Sequence, residues 1–162
     1  FAMPETGIGL FPDVGGGWFL ARLPGRMGQF LALTGARLDG AECLWTGLAT
    51  HYLPSEALGE AKERIAAGHE PGQVLSALSI HAPTARIEAN AQQIARHFAS
   101  DRLEDILASL EADSSDWAAK ELATIRTKSP QACKVALRQL ASSNWRPAQR
   151  RARCTAAVAR AR

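Results

Sequence analysis

Two carboxylates, Glu5 and Asp13, stand in a stretch otherwise made of glycine, proline, threonine and apolar residues, from Phe1-Ala2-Met3-Pro4 through Leu10-Phe11-Pro12. Paired acids suit hydrolysis, where one group attacks or activates water and another hands a proton to the leaving group. Apolar neighbours such as Met3, Ile8 and Phe11 would desolvate an acid and favour general acid–base work. A plainer role is open for each. Asp13 has the spacing of an N-cap for a turn at Gly15, and Glu5 that of an exposed loop acid.

Other spacings carry less chemistry. Gly7-Ile8-Gly9 and Gly15-Gly16-Gly17 fit no GxGxxG register, and no Lys-Ser or Lys-Thr follows as a phosphate loop requires. These glycines read as places where backbone packs closely. Cys43, Cys133 and Cys154 are odd in number and far apart, and His51, His69, His81 and His97 form no ligand spacing. No metal and no disulfide framework are expected, and a reducing compartment is.

The elements that must position the acids fall into two stretches. Residues 1–54 are rich in glycine and proline. There, Phe1-Ala2-Met3 reads as the end of a buried strand stopped by Pro4. Gly15-Gly16-Gly17 opens a short helix with a crowded first turn, broken by Pro24-Gly25. Met27, Phe30, Leu31 and Leu33 mark a second helix ended by Gly35. Asp39 and Glu42 have capping-box spacing for a third, which runs through Trp45 to Gly47, with a short strand near 49–53. From Ser55, read as an N-cap, the composition turns helical, with helices expected at 56–67, 72–80, 86–98, 101–111, 115–127 and 130–141. Leu103, Ile106, Leu107 and Leu110 recur at one helical stripe and should be buried together. Ser129-Pro130 supplies an N-cap and a first-turn proline.

The 162 residues suggest one soluble globular unit, with 46% hydrophobic and 22% charged residues. The net charge of +3 is misleading. Residues 144–162 hold Arg146, Arg150, Arg151, Arg153, Arg160 and Arg162 and no acid, so the remainder is mildly acidic and nucleic acid is not the expected partner. No apolar run approaches the roughly 18 residues of a membrane span. No secretory leader is visible, and the first residue, Phe1, reads as the start of a processed or truncated piece.

The run FAMPETGIGLFPDVGGGWFL closely resembles the crotonase (enoyl-CoA hydratase/isomerase) superfamily, and PET-x-IGLFPDVGG its branch that hydrolyses 3-hydroxyisobutyryl-CoA. Phe30-Leu-Ala-Leu-Thr-Gly-Ala-Arg-Leu, Gly47-Leu-Ala-Thr-His-Tyr and Ser129-Pro-Gln-Ala-Cys-Lys-Val-Ala-Leu-Arg-Gln-Leu extend the likeness to about residue 140. The resemblance implies an α/β crotonase-like fold in the full enzyme, of which these residues form a mostly α-helical part with short strands near the N-terminus. It implies residues 1–54 as the end of the core carrying the acidic loop and 55–143 as a C-terminal helical region, while the composition of 144–162 reads as a basic tail, disordered or out of frame, or as a genuine basic terminus.

The activity implied is release of CoA and 3-hydroxyisobutyrate in valine catabolism. Glu5 and Asp13 would be both the catalytic and the substrate-binding residues, and Thr6 and Gly9 loop scaffold. Asp13 matches an acidic position of the hydrolase branch, where simple hydratases usually carry glycine. No cofactor is implied beyond the CoA of the substrate. The partner is an acyl-CoA, with no nucleic acid and no membrane, and with homo-oligomerisation open for the full enzyme. The setting is cytoplasmic, or the mitochondrial matrix in a eukaryote. The family's N-terminal half has no counterpart in these residues, and with it go the backbone N–H groups of the oxyanion hole. Loss of one such donor costs on the order of 100- to 1000-fold, so the chain alone is expected to be inactive. A hydratase or isomerase, or a noncatalytic helical module, stands as the alternative.

Overall fold

A computed structural model describes residues 1–143. The basic tail expected at 144–162 lies outside the described residues.

Nine α-helices are formed by the described residues: α1 (Gly16–Leu20), α2 (Met27–Thr34), α3 (Gly40–Trp45), α4 (Ala57–Ala66), α5 (Pro71–Leu78), α6 (Ala91–His97), α7 (Leu103–Glu111), α8 (Asp116–Arg126) and α9 (Pro130–Ser143). Short 3₁₀ turns cover Glu5–Ile8, Pro24–Arg26 and Arg86–Asn90.

Every residue of α2 is buried, so this helix has no solvent face. It packs against α1, α6, α8 and α9 and against the Glu5–Ile8 turn. A helix with no solvent face belongs in the middle of its neighbours, and the polar residues it buries, Gln29 and Thr34, go with it. Gly28 allows the closest of these approaches, since a Cβ there would lie 2.0 Å from the carbonyl oxygen of Leu20. Gly35 closes α2 in the left-handed region, at φ 69°, as its place after the apolar run suggests. Phe30 of α2 joins Leu20, Ile94, Phe98, Ile106, Leu110, Leu137 and Leu140 in one hydrophobic cluster.

The capping box forms as its spacing predicts. Asp39 Oδ1 accepts from Glu42 N at 2.9 Å, and Glu42 Oε2 accepts from Asp39 N at 2.8 Å. Ser55 does not cap α4. The helix starts one residue later, behind Glu56, and its N-cap side chain makes no capping bond. The neighbouring α5 uses a carboxylate instead, with Glu70 accepting from the N–H groups of Gly72 and Gln73.

The short strands expected near the N-terminus are not found among the described residues. Phe1 exchanges a pair of 2.8 Å bonds with Leu38, and Tyr52 O accepts one from Ile80 N. Each contact is a single rung. A strand needs a ladder, and Pro4, followed at once by the Glu5–Ile8 turn, ends the first before a second rung can form.

The apolar stripe of α7 is nearly as expected. Leu103, Ile106 and Leu110 are buried, while Leu107 packs at the edge of the cluster, partly buried. A straight helix presents i, i+3 and i+7 most squarely to its neighbours, and the residue at i+4 falls to one side here.

Candidate active-site loop

Glu5 opens the 3₁₀ turn that follows Pro4. The turn is held from three directions. Gly7 N donates to Pro4 O at 2.9 Å, and Leu10 N donates to Glu5 O at 3.0 Å. Beneath them, Thr6 is fully buried, and its Oγ1 donates to Ala32 O in α2 at 3.1 Å. Ser129 N, just before α9, donates to Thr6 O at 3.0 Å. The residue after the candidate acid is thus bonded to α2 and to the residue that leads into α9.

One carboxylate oxygen of Glu5, Oε2, is withdrawn from solvent and meets no hydrogen-bond donor among the described residues. A buried acceptor without a donor costs roughly 1–3 kcal/mol, and such atoms collect where a ligand or water completes the site. Glu5 is therefore not the exposed loop acid of the plainer alternative.

Asp13 is placed differently. It is exposed, and its carboxylate does not cap the glycine turn. Its backbone does the work, with Asp13 O accepting from Gly16 N at 2.6 Å. The next residue, Val14, is 85% exposed and takes φ 40°, an uncommon setting for a β-branched side chain. Met3 is buried, but Ile8 and Phe11 face outward, so they do not form the apolar wall their spacing suggested. With Leu10, Val14, Trp18 and Phe19 they make a run of exposed large apolar residues along the loop.

The loop is braced on its far side by a residue that spacing gave no reason to select. Gln139 of α9 donates from Nε2 to Pro12 O at 3.0 Å, across 127 positions of sequence. Its side chain lies where Gly17 has none, and a Cβ at Gly17 would come within 2.5 Å of Gln139 Cδ. The crowded, side-chain-free first turn expected of α1 is thus filled by Gln139 on one side and by Met3 on the other, against Gly16.

A groove of about 370 Å³ beside α1 is lined by Trp18, Phe19, Arg22 and Thr46, and by neither acid. Among the described residues, no three of His, Cys, Asp and Glu gather as a metal would require. Cys43 and Cys133 are free thiols, and burial pushes the Cys133 thiol above its ordinary pKa, against the pull of the Lys128 charge.

A serine, a histidine and an aspartate do meet elsewhere. His97 Nδ1 lies 2.9 Å from Ser109 Oγ, and Nε2 lies 3.2 Å from Asp113 Oδ2 without hydrogen-bond alignment. The order of groups is that of a hydrolytic triad, but the His97 side chain is wholly buried and Ser109 sits within α7. The imidazole that would have to move protons is thus closed off from solvent. The node joins α6 to α7 and to the residues before α8, packed against Trp117.

The enoyl-CoA hydratase/isomerase family model matches residues 1–153. The chain belongs to that family. Among curated members, 3-hydroxyisobutyryl-CoA hydrolases of mitochondria from Xenopus laevis and Homo sapiens are each 41% identical over 150 residues, covering 86% of this chain and 39% of theirs. A crystal structure of a carnitinyl-CoA dehydratase from Mycobacterium thermoresistibile superposes with a TM-score of 0.81 at 34% identity, covering 88% of this chain and 42% of that one. The chain thus spans about two-fifths of the length of these family members.

Proposed function

We propose that the chain carries the acidic loop of a 3-hydroxyisobutyryl-CoA hydrolase, releasing CoA and 3-hydroxyisobutyrate. The observation that carries the reading is Glu5 Oε2, a solvent-withdrawn acceptor with no donor among the described residues, on a turn bonded to α2 and to the start of α9. The likeness to relatives named as hydrolases of this substrate supports the choice of thioester. In this reading Glu5 attacks the acyl carbon or activates the water that does. An anhydride formed by direct attack is then cleaved by water, and Asp13, exposed and eight positions along, passes a proton taken up from solvent to the thiolate as the carbon–sulfur bond breaks. The substrate enters as an acyl-CoA, and no further cofactor takes part.

A hydratase is the second reading, favoured by the dehydratase among the structural neighbours. Asp13 separates the two, because water addition to a double bond releases no thiol and needs no proton donor for one.

The test joins the chain to the preceding part of a 3-hydroxyisobutyryl-CoA hydrolase and follows thiol release from 3-hydroxyisobutyryl-CoA beside hydration of an enoyl-CoA. Thiol release that is lost in Glu5→Gln and in Asp13→Asn supports the hydrolase. Hydration without thiol release selects the second reading. The chain alone is expected to give no turnover, since it spans about two-fifths of the length of the hydrolases it resembles.

A further inference from the structure

Gln139 has one polar atom accounted for and one left over. Nε2 donates to Pro12 O, while Oε1 is withdrawn from solvent with no partner among the described residues. A side chain serving only to fill space beside Gly17 would be better apolar, because an unmet buried acceptor is costly. The donor must therefore be worth more than the acceptor loses. What it holds is the carbonyl immediately before Asp13, whose own carbonyl closes the turn onto Gly16 N at 2.6 Å.

We propose that Gln139 is a positioning residue for Asp13. From the rigid face of α9 it fixes the Pro12 carbonyl, and so the direction in which the Asp13–Gly16 turn presents the carboxylate. Three observations bear on this. α9 packs on both α1 and α2, so its register is set by the core and not by the loop. The glycine at 17 leaves the amide its room. Val14 at φ 40° shows a turn held in a conformation its sequence does not favour, which calls for a restraint from outside the turn. The positioning stands on this geometry, while its relevance to catalysis rests on the hydrolase reading of Asp13.

The test measures hydrogen-exchange protection of Gly16 N–H and of Leu31 N–H, in the core helix, in the full chain and in two variants. Gln139→Met keeps length and loses the donor. Gln139→Glu keeps shape and offers only acceptors while ionised. A net hydrogen bond is worth about a half to 1.5 kcal/mol, so protection of Gly16 should fall roughly two- to tenfold in both, with Leu31 unchanged. Acidification below the ordinary glutamate pKa of about 4.3 gives the carboxyl introduced by Gln139→Glu an O–H. Protection at Gly16 should then recover in Gln139→Glu and not in Gln139→Met. A space-filling role predicts no loss in Gln139→Met and no acid rescue, and either result overturns the proposal. Equal loss at Gly16 and Leu31 overturns it too, since it reports general loosening. Thiol release by the fused enzyme reads the other question. If exchange behaves as expected while Asp13→Asn leaves hydrolysis intact, the positioning stands and the hydrolase role of Asp13 falls.

Discussion

The hydroxyl of Thr6 and the carbonyl of Ala32 meet at 3.1 Å, both out of reach of water. Ala32 lies in the last turn of α2, where a helix leaves its carbonyls without N–H partners. Thr6 supplies the missing donor, and the turn that carries Glu5 is thereby bonded to a helix whose every residue is buried.

Thr6→Val tests that bond at constant shape. It leaves a buried carbonyl unmet, which costs about 1–3 kcal/mol. A lower urea midpoint with an unchanged slope is the expected result, and an unchanged midpoint would show that the bond does not contribute.

Ile106 and Leu107 stand side by side on α7 with unequal burial. Ile106→Ala should destabilise by about 2–5 kcal/mol, the range for a fully enclosed aliphatic side chain. Leu107→Ala should cost clearly less, because part of that side chain is already in water. Equal losses in thermal or chemical unfolding would contradict the placement of Leu107.

At α3, Asp39 is both an N-cap and the partner of Arg86, whose Nη2 lies 3.3 Å from Asp39 Oδ2. The two roles differ in size. Asp39→Ala should cost about 1 kcal/mol through the lost cap, whereas Arg86→Ala should cost less than about 0.5 kcal/mol, since the Arg86 side chain is exposed. Comparable effects from the two substitutions would mean that the ion pair, and not the cap, holds the helix start.

Burial pushes the Glu121 carboxyl above its ordinary pKa, with the Lys120 charge opposing. The native state therefore favours the protonated form of Glu121 more than the unfolded chain does. That preference favours folding fully below the unfolded pKa of about 4.3 and is lost as pH rises through the higher native value. Glu121→Gln should accordingly raise the melting temperature at pH 7, with the gain shrinking as pH falls towards 4. A gain independent of pH would locate its origin outside ionisation.

Legibility in the sequence followed the range of the forces involved. The Asp39–Glu42 box and the Gly35 helix stop were readable because their causes lie within four residues. The expected strand at Phe1-Ala2-Met3 failed because pairing is set by a partner, and the partner offers only Leu38. At the loop, residue types made Glu5 and Asp13 candidates, but could not separate a solvent-withdrawn oxygen from an exposed carboxylate. Gln139 could not be found at all from spacing. Its partner is 127 positions away, and a glutamine on a helix face looks like any other solvated side chain.

The complete burial of α2 bears on how the chain tolerates being cut. Its walls come from α1 on one side of the sequence and from α6, α8 and α9 on the other, with α4 and α5 between them. A protease acting in the segment around α4 and α5 would leave α2 in one piece and most of its walls in the other. Neither piece could cover its own apolar surface. A nicked molecule must therefore stay together as a complex of its two fragments or lose its fold entirely, with no stable half between.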